Sequence, residues 1–125
     1  MLKITLTDTD ILNMSTPYEI APALGGTKFY DVKKIIWKLD YNTTPYNYTG
    51  RILFKIGNEQ IAEFQADSLT SNYKVASISG TPLCIDKCAP LIQVDTAITL
   101  EFPGGAPING DSNVYLEINY LINEI

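Results

Sequence analysis

Asn113-Val-Tyr-Leu-Glu-Ile-Asn-Tyr-Leu-Ile122 alternates without a break. Val114, Leu116, Ile118, Tyr120 and Ile122 fall on one side. Asn113, Tyr115, Glu117, Asn119 and Leu121 fall on the other. Successive side chains of a strand point to opposite faces, so this period of two predicts a β-strand with one face against a core.

The same period recurs upstream. Leu2, Ile4 and Leu6 alternate with Lys3, Thr5 and Thr7. Ile35, Trp37, Leu39 and Tyr41 alternate with Lys34, Ile36, Lys38 and Asp40. Ile52, Phe54 and Ile56 alternate with Arg51, Leu53 and Lys55, and Ile98, Leu100 and Phe102 are interleaved with Thr99 and Glu101. Gly57-Asn58 separates one of these runs from Ala62, Phe64 and Ala66, which predicts a β-hairpin over residues 51–66. Weaker strands are expected near Tyr18 to Ala21, Tyr73 to Ile78 and Leu91 to Val94. Turn chemistry separates the runs at Gly25-Gly26, Thr44-Pro45, Gly80-Thr81-Pro82, Pro103-Gly104-Gly105 and Asn109-Gly110-Asp111.

One short helix is expected. Thr7 caps a turn over Asp8 to Met14, Asp10 takes the capping-box position, and Ile11 and Met14 turn inward. So short a helix needs tertiary support. Roughly eight to ten short strands with Gly and Pro turns predict a single all-β domain over residues 1–125. The expected architecture is an antiparallel β-sandwich, jelly-roll-like, with one short N-terminal helix.

The chain has 125 residues, the size of one domain with a core of its own. Hydrophobic residues make up 46% and charged residues 18%, which excludes a disordered chain. The formal net charge of −5 opposes phosphate backbones and anionic membranes, so neither nucleic acid nor a membrane is expected as a partner. No apolar run reaches the length of a membrane span, and the N-terminus lacks the apolar core of a secretory signal. Synthesis and folding in a cytoplasm are expected.

Histidine is absent, which removes the commonest general base and the commonest metal ligand. Cys-His and Ser-His hydrolases are excluded within one chain. Cys84 and Cys88 are too few for a zinc site without carboxylates or a second subunit, and their spacing is not that of a redox pair. They read as packed thiols near a bend between Pro82 and Pro90, with a local disulfide as the alternative. Asp8-Thr-Asp10 suggests a calcium loop, but Asn13 stands where that loop needs glycine and Leu12 where it needs an oxygen ligand. The acids instead suit a helix start. Asp86, Asp95, Glu101 and Asp111 would serve a glycosidase only as a pair across a sugar cleft, and scattered acids on strands read as a solvated face. Neither Gly25-Gly26-Thr27-Lys28 nor Pro103-Gly-Gly-Ala-Pro107 has phosphate-loop spacing. No catalytic, cofactor-binding or metal-binding residue is assigned, and no enzyme activity or cofactor is expected.

Tyr41, Tyr46 and Tyr48 cluster after Trp37. Tyrosine is amphipathic, so the three either cover the edge of the core or form a contact surface for a protein or a sugar. Trp37 lies on the apolar phase of its strand and reads as core.

The arrangement as a whole resembles a family of small tailed-bacteriophage virion proteins, the capsid decoration and head-fibre proteins. The resemblance is carried by Ile4 to Met14, by Thr16-Pro17-Tyr-Glu-Ile-Ala21-Pro22-Ala-Leu-Gly25, by Leu39-Asp40-Tyr41 followed by a polar loop with Pro45-Tyr46, and by Gly110-Asp111-Ser-Asn-Val114-Tyr-Leu-Glu-Ile-Asn-Tyr120. Ser112 stands where the family often has glycine. The resemblance implies a structural, non-enzymatic virion protein, made in the bacterial cytoplasm. It also implies compact β-sandwich subunits in a homotrimer, with the major capsid protein or other virion proteins as partners. The alternative is a carbohydrate- or receptor-binding module of a fibre or tail, with Trp37 and the tyrosines as its stacking platform.

Overall fold

The computed structural model describes residues 1–70, 74–79 (backbone) and 93–125. Its elements follow in the order β1 (Leu2–Leu6), α1 (Asp8–Leu12), β2 (Tyr18–Ala21), β3 (Lys28–Asp40), β4 (Ile52–Ile56), β5 (Glu59–Phe64), α2 (Asp67–Thr70), β6 (Lys74–Ser79), β7 (Ile98–Glu101) and β8 (Asn113–Glu124). Cys84, Cys88, Asp86, Gly80-Thr81-Pro82 and the start of the strand expected over 91–94 lie outside the described residues. Gln93 and Val94 lead into a turn at Asp95, not a strand.

One sheet has the order β1-β8-β3-β6 and the other β2-β7-β4-β5. Every pairing is antiparallel. First pairs with last, second with seventh, third with sixth and fourth with fifth, and successive pairs lie in alternate sheets. The chain is therefore one long double ribbon, closed at the Gly57-Asn58 turn and rolled into a sandwich. That topology is a jelly roll.

The alternating residues explain why the sheets meet. Leu6, Ile35, Leu39 and Val114 from one sheet, and Ile52 and Leu100 from the other, are fully buried in one core. Trp37 lies at its centre, with its ring 6.0 Å from Phe64 and 6.4 Å from Phe54. The indole Nε1–H donates to the Ser68 carbonyl at 2.9 Å, so α2 satisfies the one polar atom of the largest core side chain. Nothing in the local pattern of residues 67–70 predicts this second helix.

Thr7 caps α1 as expected. Its hydroxyl accepts from the Asp10 N–H at 3.2 Å, and the Asp10 carboxylate accepts from the Thr7 N–H at 2.9 Å. Ile11 and Met14 are buried, although the helix ends at Leu12, with Asn13 as its C-cap. The expected hairpin forms about Gly57-Asn58.

Strand β3 begins six residues before Lys34. The pairing with β8 slips between Val32 and Lys34, so Lys33 is a β-bulge. The inward phase changes there from Tyr30 and Val32 to Ile35, Trp37 and Leu39. A search for period two loses the strand at that slip.

Candidate functional site

Tyr41, Tyr46 and Tyr48 lie in the connection from β3 to β4. That connection folds back over one end of the sandwich, held by paired backbone hydrogen bonds between Asn47 and Ile108 at 2.8 and 3.2 Å. The Asp111 carboxylate fixes its start. It accepts from the Thr43 N–H at 3.0 Å, the Thr44 N–H at 2.9 Å, the Asn42 side-chain amide at 3.2 Å and the Thr43 hydroxyl. The Thr43 hydroxyl and these amides hold the Asp111 carboxyl below the usual carboxylate range. Ser112, where the resembled family often has glycine, uses its hydroxyl to accept from the Asn42 N–H at 2.9 Å.

This clasp puts the tyrosines inside. Tyr46 is buried, and its hydroxyl donates to the Ser112 carbonyl. Tyr48 is buried with its ring edge-on to Phe102 at 5.3 Å, and its hydroxyl donates to the Arg51 carbonyl. Burial raises the pKa of both hydroxyls, and for Tyr46 the charges of Asp8 and Asp111 add to it. Tyr41 is half-buried, and its hydroxyl donates to the Thr43 carbonyl at 2.6 Å. Tyr46 and Tyr48 are thus core-edge residues and offer no face to a partner. The reason is that backbone carbonyls satisfy their hydroxyls, so the whole side chain can be buried. Trp37 is fully buried as well, so these aromatics form no stacking platform.

The other candidate acids among the described residues hold the fold. Glu101 is ion-paired to Lys55 at 2.8 Å. Asp95 accepts from the Gly25 N–H at 2.8 Å. Asp10 is the capping acid, and Asp8 accepts from the Thr9 N–H at 2.9 Å. Among the described residues, no three of His, Cys, Asp and Glu gather to hold a metal ion, and no helix is long and apolar enough to cross a membrane.

Among the described residues, a surface available for contact lies at the opposite end. Among those same described residues, β1 pairs with β8 only as far as Ile118, and β6 pairs with β3 only as far as Lys34. Beyond those points residues 28–32 and 120–124 pair with each other, from Val32 opposite Tyr120 to Lys28 opposite Glu124. They form a ribbon that runs past the rest of the sheet. Its root is packed: Tyr30 is buried, its ring stands edge-on to Tyr120 at 5.0 Å, and its hydroxyl donates to the Pro22 carbonyl at 2.6 Å. On the β3 side, the Asp95 N–H donates to the Lys28 carbonyl at 2.9 Å.

The β8 side is different. The Ile125 N–H donates to the Thr27 carbonyl at 3.1 Å, toward β3. Backbone groups alternate in direction along a strand, so the N–H and C=O of Ile122 and Glu124 point away from β3, where β1 has already ended. Leu121 is 56% exposed, Ile122 52% and Ile125 72%. This segment has no lysine or proline of the kind that guards open sheet edges. The sequence held one signal for this surface: the alternation of β8 runs well past the length of β1, so its last apolar residues outreach their neighbour.

No protein-family model, no curated protein and no solved structure matches this chain.

Proposed function

We propose that the chain is a structural protein of a tailed-bacteriophage virion, of the capsid-decoration or head-fibre type, and that it works by symmetric contacts between copies and with the capsid. The observation that carries this reading is the ribbon of β3 and β8. Leu121 and Ile125 stand exposed on one face of this ribbon and Ile122 on the other, along an open strand edge. Large apolar side chains exposed on both faces of an open edge mark a contact surface. Copies of one chain meet about a symmetry axis, and the homotrimer that the resemblance implies would be joined at this ribbon.

Two further lines support the reading. Jelly rolls are a frequent architecture of viral capsid domains, although fold by itself does not fix function. The resemblance of the N-terminal strand and helix, the Pro45-Tyr46 loop and the Gly110-Asp111 turn to decoration and head-fibre proteins points the same way. The acidic charge suits a role on the outside of a particle rather than against packaged nucleic acid.

Two measurements test it. Mass spectrometry of purified particles from the source phage is expected to find the chain in stoichiometric amount, and its absence from particles overturns the virion assignment. Light scattering coupled to size exclusion is expected to give three times 13.9 kDa, and Leu121→Asp is expected to return the monomer. A wild-type monomer at every concentration would remove the threefold contact.

A further inference from the structure

The outer face of the sheet β1-β8-β3-β6 carries a groove of about 340 Å³, bounded by Lys3, Thr5, Lys38, Tyr115 and Glu117. Strand register explains why these side chains meet. Thr5, Tyr115 and Lys38 form one cross-strand row, and Lys3 and Glu117 lie in the next row on the same face. The Tyr115 hydroxyl reaches Asp40 at 3.3 Å, in the row on the other side. The ring therefore leans away from Glu117, and the space between the two rows stays open. Tyr115 is 37% exposed and is the only aromatic in these two rows among the described residues.

The charges around the ring are unevenly matched. Lys3 and Glu117 form a loose ion pair at 3.9 Å, with Lys3 exposed and Glu117 half-buried. Lys38 makes no ion pair among the described residues. A chain of net charge −5 thus places one loosely paired ammonium, and one with no ion pair among the described residues, beside an exposed tyrosine. Such a ring offers a π-face to C–H groups and a hydroxyl at its rim. Thr5 and Glu117 add a hydroxyl and an acceptor pair for hydroxyl groups.

The geometry points to a binding site for an acidic saccharide, a sugar ring that carries one carboxylate. Its C–H face packs on Tyr115, its hydroxyls bond Glu117 and Thr5, and its carboxylate meets the ammonium of Lys38, with Lys3 beside it. Glu117 and Asp40 in the same patch disfavour a multiply charged phosphate, whereas a monoanion with several hydroxyls matches both the acceptors and the ammoniums. The volume suits one or two sugar units. Because the site uses neither the ribbon nor the clasp, this inference stands apart from the virion reading.

The probes are the methyl glycosides of N-acetylneuraminic acid and glucuronic acid, with methyl glucoside as the neutral control. Each is titrated into the ¹⁵N-labelled protein and followed by amide shifts up to roughly 10 mM, the range that a shallow site with a Kd near 1 mM requires. The acidic sugars are expected to move the amides of residues 3–5, 38 and 115–117. Lys38→Gln is expected to weaken binding about threefold to fivefold, the worth of one exposed ion pair. Tyr115→Ala is expected to abolish the shifts while the protein keeps its cooperative unfolding transition, and Tyr115→Phe to retain them in part. Absence of shifts with both acidic sugars, or shifts confined to other residues, overturns the site. Equal binding of methyl glucoside, or no effect of Lys38→Gln, overturns the acidic class.

Discussion

Gly110→Ala tests whether the clasp end is as tightly fitted as its geometry implies. Gly110 has φ +93°, a conformation that residues with a Cβ adopt only under strain. That part of the penalty is about 1–2 kcal/mol. A second part comes from packing. A Cβ at Gly110 would lie 2.6 Å from Tyr46 Cγ and 2.7 Å from its Cε1, well inside van der Waals contact. The ring has nowhere to go, because Tyr46 is buried and its hydroxyl is tied to the Ser112 carbonyl. Overpacking of this kind costs about 1–3 kcal/mol, so Gly110→Ala is expected to lose about 2–5 kcal/mol in all. Gly105 isolates the first part: its φ is +94°, and a Cβ there meets nothing within 4 Å. Gly105→Ala is expected to lose only about 1–2 kcal/mol. Urea unfolding followed by the fluorescence of Trp37, the single tryptophan, reads both. With a slope of about 1–3 kcal/mol per M, the two midpoints differ by roughly 1 M. In a Tyr46→Ala background the packing part disappears, and Gly110→Ala then costs the same as Gly105→Ala. Equal costs in the wild-type background, or strict additivity of Gly110→Ala with Tyr46→Ala, would refute the reasoning.

Two further outcomes follow from buried hydrogen bonds. Trp37→Phe leaves the Ser68 carbonyl without its indole donor inside the core and is expected to cost about 2–4 kcal/mol, read by circular dichroism because the fluorophore is gone. Tyr46 has a raised pKa in the folded state, so the native protein holds the proton where the unfolded chain gives it up. Its contribution to stability is complete below about pH 10 and is lost as pH rises beyond it. Tyr46→Phe is expected to be less stable at neutral pH by about 1 kcal/mol, yet to fall less steeply above pH 10. An alkaline slope equal to that of the wild type would sink this assignment.

What the sequence disclosed follows from how local each feature is. β8, β1 and the β4–β5 hairpin announce themselves because a strand with one buried face repeats every second residue. The Thr7–Asp10 capping box is equally local. β3 was read only from Lys34 because the bulge at Lys33 moves the inward phase from Tyr30 and Val32 to Ile35, and a single phase cannot span it. The helix α2 exists to bring the Ser68 carbonyl to Trp37, a contact 31 residues away that leaves no mark on residues 67–70. Tyr46 and Tyr48 were open to two readings because their hydroxyls find backbone carbonyls. Every residue supplies such an acceptor, so no side-chain pattern reveals it. The order of the strands is likewise a matter of distant pairs such as Leu2 with Ile118, which local periodicity does not contain.

Unequal strand lengths give the molecule two different ends. β3 and β8 have 13 and 12 residues, whereas β1 has five, so the long pair outruns β1. At the Asp40–Asn113 end the Asp111 clasp closes the sandwich, and the Tyr115 groove opens one row away. At the Lys28–Glu124 end the chain leaves an apolar edge uncovered. Six residues separate Tyr115 from Leu121 along one strand, about 20 Å at the usual rise. Leu121 and Tyr115 share the outer face, so a contact confined to the ribbon end leaves the Tyr115 groove facing solvent, and one chain can then assemble at one end and bind at the other. The two proposals are separable for the same reason. Leu121→Asp is expected to break the oligomer while leaving the sugar-induced shifts at residues 115–117 in place, and Lys38→Gln to weaken those shifts at unchanged molar mass. If Leu121→Asp abolished the sugar response, the groove would have to be completed by a neighbouring copy, and the separation of the two ends argued from strand length would be wrong.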